Sequence, residues 1–443
     1  MASAAEQLAA NINFSSLGKN EDLMNRIWFT LGALIIYRLG SYIPIPGIDT
    51  TAISNFTAQN SSGIMGWMNS MAGGALGRMA IFALNIMPYI SSSIIMQLMT
   101  TVSPALEALK KEGESGRKRI NQYTRYGTVI LAALQAYGIA AGLTAQGSLV
   151  LIPGPFFILS TVITLTGGTV FLMWLGEQIT ARGIGNGTSL IIFSGIVANL
   201  PQGIAALLEM GRKGLMSPFT ILGILIIGVG VVAFIVFFER AQRRLLIQYP
   251  KRQIGMQISQ AESSHLPLKL NTSGVIPPIF ASSLLLLPLT VANFSAGKGP
   301  DWFNGIVALL GHGKPLFLVL YAALIVFFCF FYTSIMFNPK ETAENLKKSG
   351  GFILGIRPGE QTAEYLDRIL TRLTVIGAAY IVVVCLIPEV FANFSGLSLA
   401  FGGTSLMIVV SVTLDTVSQI QGHLLSQQYE RLMKKSTLRG RGK

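Results

Sequence analysis

Long apolar runs alternating with clusters of basic residues constrain this chain more than any other feature. Lys and Arg crowd into four stretches: Lys110, Lys111, Arg117, Lys118, Arg119 and Arg125; Arg240, Arg243, Arg244, Lys251, Arg252 and Lys269; Lys340, Lys347, Lys348, Arg357, Arg368 and Arg372; and Arg431, Lys434, Lys435, Arg439, Arg441 and Lys443. Between them lie apolar segments long enough to cross a bilayer as helix, which takes roughly 20 residues. Hydrophobic residues make up 51% of the chain and charged ones only 12%, too little charge to cover a soluble surface of this size. The apolar runs are continuous rather than alternating, which excludes a transmembrane barrel. The expected fold is therefore all-α, a polytopic membrane protein whose basic face is cytosolic by the positive-inside rule. The net charge of +13 reads as the sum of those cytosolic loops, attracted to anionic headgroups or offered to an acidic partner surface.

Ten spans are predicted, near residues 23–43, 76–102, 125–143, 156–176, 188–207, 218–238, 274–291, 315–337, 373–387 and 397–420. Ten is even, so both termini share a side. Threading from a cytosolic N-terminus places all four basic stretches inside, a consistency that a miscount by one span would destroy. The expected organisation is an amphipathic surface segment over 1–22, five spans over 23–207, an external loop over 208–217, five spans over 218–422 and a basic tail over 423–443. Two cytosolic loops, 239–273 and 338–372, exceed the usual connection length and contain turn signals, so both are expected to be ordered and to project. Segment 61–75 (SSGIMGWMNSMAGGA) is apolar, glycine-rich and too short to span; it reads as a surface loop or as a short helix folded back against the protein. Cys329 and Cys385 fall inside apolar spans and read as small core residues.

Signatures of catalysis are missing. The chain has no His-Glu-x-x-His, no phosphate-binding loop with its lysine and no Gly-x-Ser-x-Gly turn, so the expectation is no enzyme, no metal and no cofactor. The glycine-rich Gly183–Gly187 reads as a tight turn. Arg38, Arg78 and Glu177 lie near span ends, where snorkelling would satisfy them. Asp415 is the deepest acidic residue, and one such group is thin support for an ion-coupled transporter. Span two carries Asn85, Pro88, Ser91, Ser92, Ser93 and Gln97; span seven opens with Asn271, Thr272 and Ser273. Small and hydroxyl residues suit close helix packing, and also a seam that opens. A solute transporter and a structural scaffold stand as alternatives at this point.

Five stretches resemble one family. They are KKEGESGRKRINQYTRYGT (110–128), MWLGEQITARGIGNGTS (173–189), HLPLKLN followed by GVIPPIFASS (265–283), FNPKETAENLKKSGGFILGIRPGEQTAEYLDRILTRLT (337–374) and FGGTSLMIVVSV (401–412), with IPIPG at 43–47 besides. All are similar to the SecY family, central subunits of bacterial protein-conducting channels. The resemblance implies ten helices in two pseudo-symmetric halves hinged at the external loop. It implies a pore closed by a ring of Ile86, Ile90, Ile192, Ile279 and Ile408. Ile86 and Ile90, four apart, share a helix face independently of the family. Thr188 departs from the apolar residue usual in the family. Segment 61–75 would be the plug, with Ile64, Met65, Trp67, Met68 and Met71 as its apolar residues. A lateral gate would use Ser91, Ser92, Gln97, Asn271 and Thr272. Docking would use Arg240, Arg243, Arg244, Lys251, Arg252 and Arg357, the family normally being more basic just after Arg252. The implied partners are small SecE-type and SecG-type membrane subunits, a SecA-type motor ATPase, the ribosome, signal sequences with unfolded preproteins, and the lipid bilayer. The implied location is the bacterial cytoplasmic membrane.

Overall fold

A computed structural model of the chain describes residues 21–59, 69, 72–145, 149–214, 217–249, 253–254, 257–258, 263–294, 314–395 and 403–440. The helices in the first part are α1 (Glu21–Gly40), α2 (Thr50–Gln59), α3 (Met87–Val102), α4 (Pro104–Lys111), α5 (Glu114–Ala145), α6 (Pro155–Arg182) and α7 (Gly187–Arg212). Then come α8 (Pro218–Arg240), strands β1 (Gln242–Gln248), β2 (Gln253–Ile254), β3 (Gln257–Ile258) and β4 (Ser263–Lys269), and α9 (Ile276–Phe294). The chain continues through α10 (Pro315–Met336), α11 (Pro339–Ser349), β5 (Phe352–Ile353), α12 (Glu360–Ser395) and α13 (Gly403–Gly440). Among the described residues seven helical stretches are long and apolar enough to cross a membrane: 114–144, 155–182, 187–212, 218–240, 315–349, 360–388 and 403–426. Helices α1, α3 and α9 occupy the other three expected positions, so ten spans are compatible with the fold.

Several span boundaries differ from expectation for local reasons. Span two is helical only from Met87, not from Leu76. The stretch before it is a run of turns containing Gly73, Gly74, Met79 and Asn85, all at positive φ, and Pro88 sits in the first helical turn, where its missing N–H costs nothing. Helix α7 runs on to Arg212, helped by the Glu209–Lys213 pair one turn apart. Helix α12 continues through Pro388 to Ser395, and α13 joins the last span to the basic tail without a break.

Contacts divide the chain into two compact units. The first holds Met1–Ala205, Leu289–Gly305 and Ile408–Lys443. Its core joins Ile45, Ile48, Leu76, Met79, Leu84, Ile139 and Leu165. Short bridges Pro44–Ala80 and Ile48–Val150 tie the connecting turns together. Asp49 starts α2 by accepting from the Thr51 hydroxyl at 2.6 Å and from the amides of Thr51 and Ala52, and these bonds hold its carboxyl below the usual range. A smaller cluster of Leu23, Ile184 and Leu424 gathers α1, the α6–α7 turn and α13.

The second unit holds Ala206–Pro288 and Ile306–Met407. Here the two long loops fold together. Strand β1 pairs antiparallel with β4 over its whole length and with β5 through Ile247–Ile353 and Gln248–Phe352, giving the order β4-β1-β5. Pro267 is tolerated because β4 is an edge strand. Leu245, Leu268 and Ile353 turn their side chains onto Leu366, Ile369, Leu370 and Leu373 of α12, a small core of its own. Helix α11 is capped at both ends, by Asn338 accepting from the amides of Lys340 and Glu341 and by left-handed Gly350.

Candidate functional site

In the first unit four of the five ring isoleucines are buried: Ile86 0%, Ile90 6%, Ile192 4% and Ile408 1% exposed. Ile86 immediately precedes α3 and Ile90 lies one turn on, its amide donating to the Ile86 carbonyl at 3.1 Å. Ile192 is on α7, one turn after Thr188, which is partly buried; Ile408 is on α13. In the second unit Ile279 is half-buried on α9, and its carbonyl accepts from the Ser282 and Ser283 hydroxyls at 2.9 and 2.8 Å. Those bonds neutralise two polar side chains against their own helix, as serine in an apolar helix commonly does.

Ile64, Met65, Trp67, Met68 and Met71 lie outside the described residues. The end of that segment is described, and Ala72, Gly73 and Ala75 are buried. The Gly73 carbonyl accepts from Arg38 Nη1 at 2.8 Å and from Arg78 Nη2 at 3.3 Å. The Tyr42 ring lies 5.0 Å from the Arg38 guanidinium and 4.0 Å from that of Arg78. Gly73 has φ 66°, and a Cβ there would stand 2.8 Å from the Gly195 Cα, so no other residue fits. This arrangement corrects the snorkelling expectation. Both arginines reach inward to one backbone carbonyl, and Glu177 is held by Arg125 in a fork of 3.0 and 2.7 Å. The one signal legible beforehand is a pair of arginines, Arg38 and Arg78, on either side of Gly73-Gly74.

The residues assigned to a gate are placed as follows. Ser91 and Ser92 are buried, and the Ser92 hydroxyl donates to the Thr124 carbonyl of α5 at 2.8 Å. Gln97 donates to Ser93 Oγ at a long 3.5 Å. Asn271 is buried and fully engaged: Nδ2 donates to Glu239 Oε1 at 2.8 Å and to the Gly274 carbonyl, while Oδ1 accepts from the Ser273 hydroxyl and the Gly274 amide. It thereby latches the start of α9 to the end of α8. Thr272 and Thr333 bring their hydroxyl oxygens within 3.4 Å.

Of the docking residues, Arg240, Arg243, Arg244 and Arg357 are exposed, and Lys251 and Arg252 lie outside the described residues. Arg243 and Arg244 are on β1, opposite Leu268 and Pro267. Arg357 sits in the turn between β5 and α12, flanked by Gly355 at φ 79° and Gly359 at φ 116°. The Thr362 hydroxyl donates to the Arg357 carbonyl at 2.9 Å and fixes the turn. Among the described residues neither Glu360 nor Glu364 forms a salt bridge with Arg357.

The glycine-rich 183–187 stretch is a structural turn. The Ile184 amide donates to Thr30 Oγ1 at 3.1 Å and the Gly185 amide to Gln419 Oε1 at 2.8 Å, with Gly185 at φ 89°. Asp415 is exposed on α13. No group of metal-binding side chains occurs among the described residues.

Comparison with known proteins bears on the family and the fold. A profile of the SecY family matches residues 80–417. The chain is 56% identical to a protein translocase subunit SecY of Rickettsia bellii over 433 residues, covering 97% of this chain and 100% of the relative. It is 52% identical to that of Escherichia coli K12, covering 97% and 98%. Among solved structures it resembles a protein-conducting channel with TM-score 0.66 at 18% identity, covering 91% of this chain and 93% of that one. Sec61 from a canine ribosome-channel complex of the endoplasmic reticulum gives TM-score 0.63 at 18% identity, with the same coverage. A fold of apolar helices, a family profile over most of the chain and identity above one half along nearly its whole length lead to one assignment: the chain belongs to the SecY family of protein-conducting channels.

Proposed function

We propose that this chain passes unfolded secretory proteins across the bacterial cytoplasmic membrane and releases apolar segments sideways into the lipid, with both termini in the cytosol. The observation that carries the reading is the set of buried isoleucines, Ile86, Ile90, Ile192 and Ile408, in a channel family. With Ile279 they form an apolar constriction that excludes water and ions by dewetting and offers no strong site to any one passing sequence. Segment 61–75 acts as a plug at rest. The halves, 23–207 and 218–422, hinge at 208–217 and part at a gate formed by spans two, three, seven and eight. A passing segment then partitions: each Leu, Ile, Phe or Val at a helix centre gains about 0.3 to 0.6 kcal/mol by entering lipid, and a polar segment stays in the pore.

The chain does no chemistry, so a partner supplies the energy. We assign docking to the basic platform of β1, β4 and β5, with Arg357 at its tip, as the surface for a SecA-type motor and for the ribosome. Ribosome docking is supported by ribosome-bound channels among the structures it resembles. Small SecE-type and SecG-type subunits complete the channel. The test is reconstitution with those subunits in vesicles, supplied with motor and ATP. Protection of an unfolded secretory protein inside the vesicles is expected; substrate-coupled flux of a small solute without protein transport would replace this reading with a transporter.

A further inference from the structure

Ser92 of α3 and Gly127 of α5 meet side chain into notch. Ser92 is only 2% exposed, and its hydroxyl donates to the Thr124 carbonyl at 2.8 Å. The same carbonyl accepts the Thr128 hydroxyl at 2.7 Å, and Thr124 passes its own hydroxyl to the Ile120 carbonyl at 3.0 Å. Gly127 leaves the space that Ser92 fills: a Cβ added there would stand 2.5 Å from Ser92 Oγ, yet an ordinary 3.6 Å from Ser92 Cβ. A small residue facing a hydroxyl in this way lets two membrane helices approach closely and hydrogen-bond without water. Helix α3 begins directly after Ile86 and carries Ile90.

We propose that Ser92 and Gly127 are positioning residues that join α3 and α5 into one body, and that this join sets how apolar a segment must be before it leaves the channel for lipid. The inference rests on the channel function proposed above. Opening a path to lipid by moving two joined helices costs more than displacing one, so only a segment with enough gain on partitioning opens it. Freed from α5, α3 yields more readily and the requirement drops. On this reading Ser92 does not contact the passing chain. It holds the helix that does.

The test uses the reconstituted channel with its membrane subunits and a series of guest segments graded from alanine-rich to leucine-rich. The composition at half-insertion is read at matched channel abundance, together with resting ion conductance. Gly127→Ala is expected to shift half-insertion toward less apolar segments and to raise conductance, because the new methyl displaces Ser92. Ser92→Ala, which loses only the hydrogen bond, is expected to shift it in the same direction by less. The double variant Ser92→Ala with Gly127→Ala is expected to return to the Ser92→Ala value, because the remaining Cβ contact is ordinary. A double variant no closer to wild type than Gly127→Ala overturns the proposal, as does wild-type half-insertion in Gly127→Ala. If Gly127→Ala fails to fold, Ser92→Ala decides alone: unchanged half-insertion and conductance overturn the proposal. A wild-type channel that sorts no guest by apolarity would instead refute the parent function, and the wild-type control separates the two failures.

Discussion

Leu366→Ala is the substitution that most directly tests whether the two long loops, 239–273 and 338–372, form one platform. Leu366 is fully buried, packed with Leu245, Leu268, Ile353, Ile369 and Leu370 from both loops and α12. Truncating a buried Leu to Ala costs about 2 to 5 kcal/mol, depending on how far the cavity collapses. The sheet and the start of α12 have their own small core, so this loss is expected to act on local opening rather than on the spans. Every 1.4 kcal/mol is tenfold, so even the low end accelerates amide exchange across β1, β4 and β5 by roughly 30-fold. Hydrogen exchange read by mass spectrometry on the reconstituted channel measures it, with α10 as the internal reference. The expected result is fast exchange in β1, β4 and β5 together and no change in α10. An increase below about threefold in β1, or an equal increase in α10, would refute an independently cooperative platform.

Arg357→Glu is expected to weaken motor binding by about 2 kcal/mol or more, roughly 30-fold, while thermal stability moves by about 0.5 kcal/mol or less, because the side chain is an exposed anchor. Arg357→Lys loses the planar fork and is expected to fall between; normal translocation by the Glu variant rules out docking. Ile408→Asp or Ile192→Lys is expected to wet the constriction and leak ions at rest in planar bilayers, and unchanged conductance for both removes them from the ring. Deleting 61–71 is expected to raise resting leak in a folded channel. Extending the deletion to Ala75 removes the carbonyl that Arg38 and Arg78 share and is expected to cost a further 1 to 3 kcal/mol or so, read as a lower melting temperature. Equal melting of the two deletions would refute that anchoring role.

Much of this protein is legible in its sequence because the bilayer imposes few solutions. Apolar runs of span length determine the helices and their order, since a backbone in lipid must satisfy its own hydrogen bonds. Long ordered motifs such as GIRPG at 355–359 also carry the family. Four isoleucines that the family resemblance implied, Ile86, Ile90, Ile192 and Ile408, are buried on or directly before helices α3, α7 and α13.

Other features required tertiary structure. No local pattern says that loops about a hundred residues apart build one sheet, because the pairing of Ile247 with Ile353 depends on where α8 and α12 emerge. Nor does a lone arginine near a span end show whether it snorkels or turns inward; Arg38 and Arg78 turn inward because the Gly73 turn presents a carbonyl to both. Ser92 and Asn271 read equally well as seam or as weld in the sequence. Their partners, Thr124 and Glu239, come from different helices, and only packing brings a donor and an acceptor within 3 Å. Sequence specifies which groups need partners, and the fold decides which partners they receive, because hydrogen bonds are set by distance in space and not along the chain.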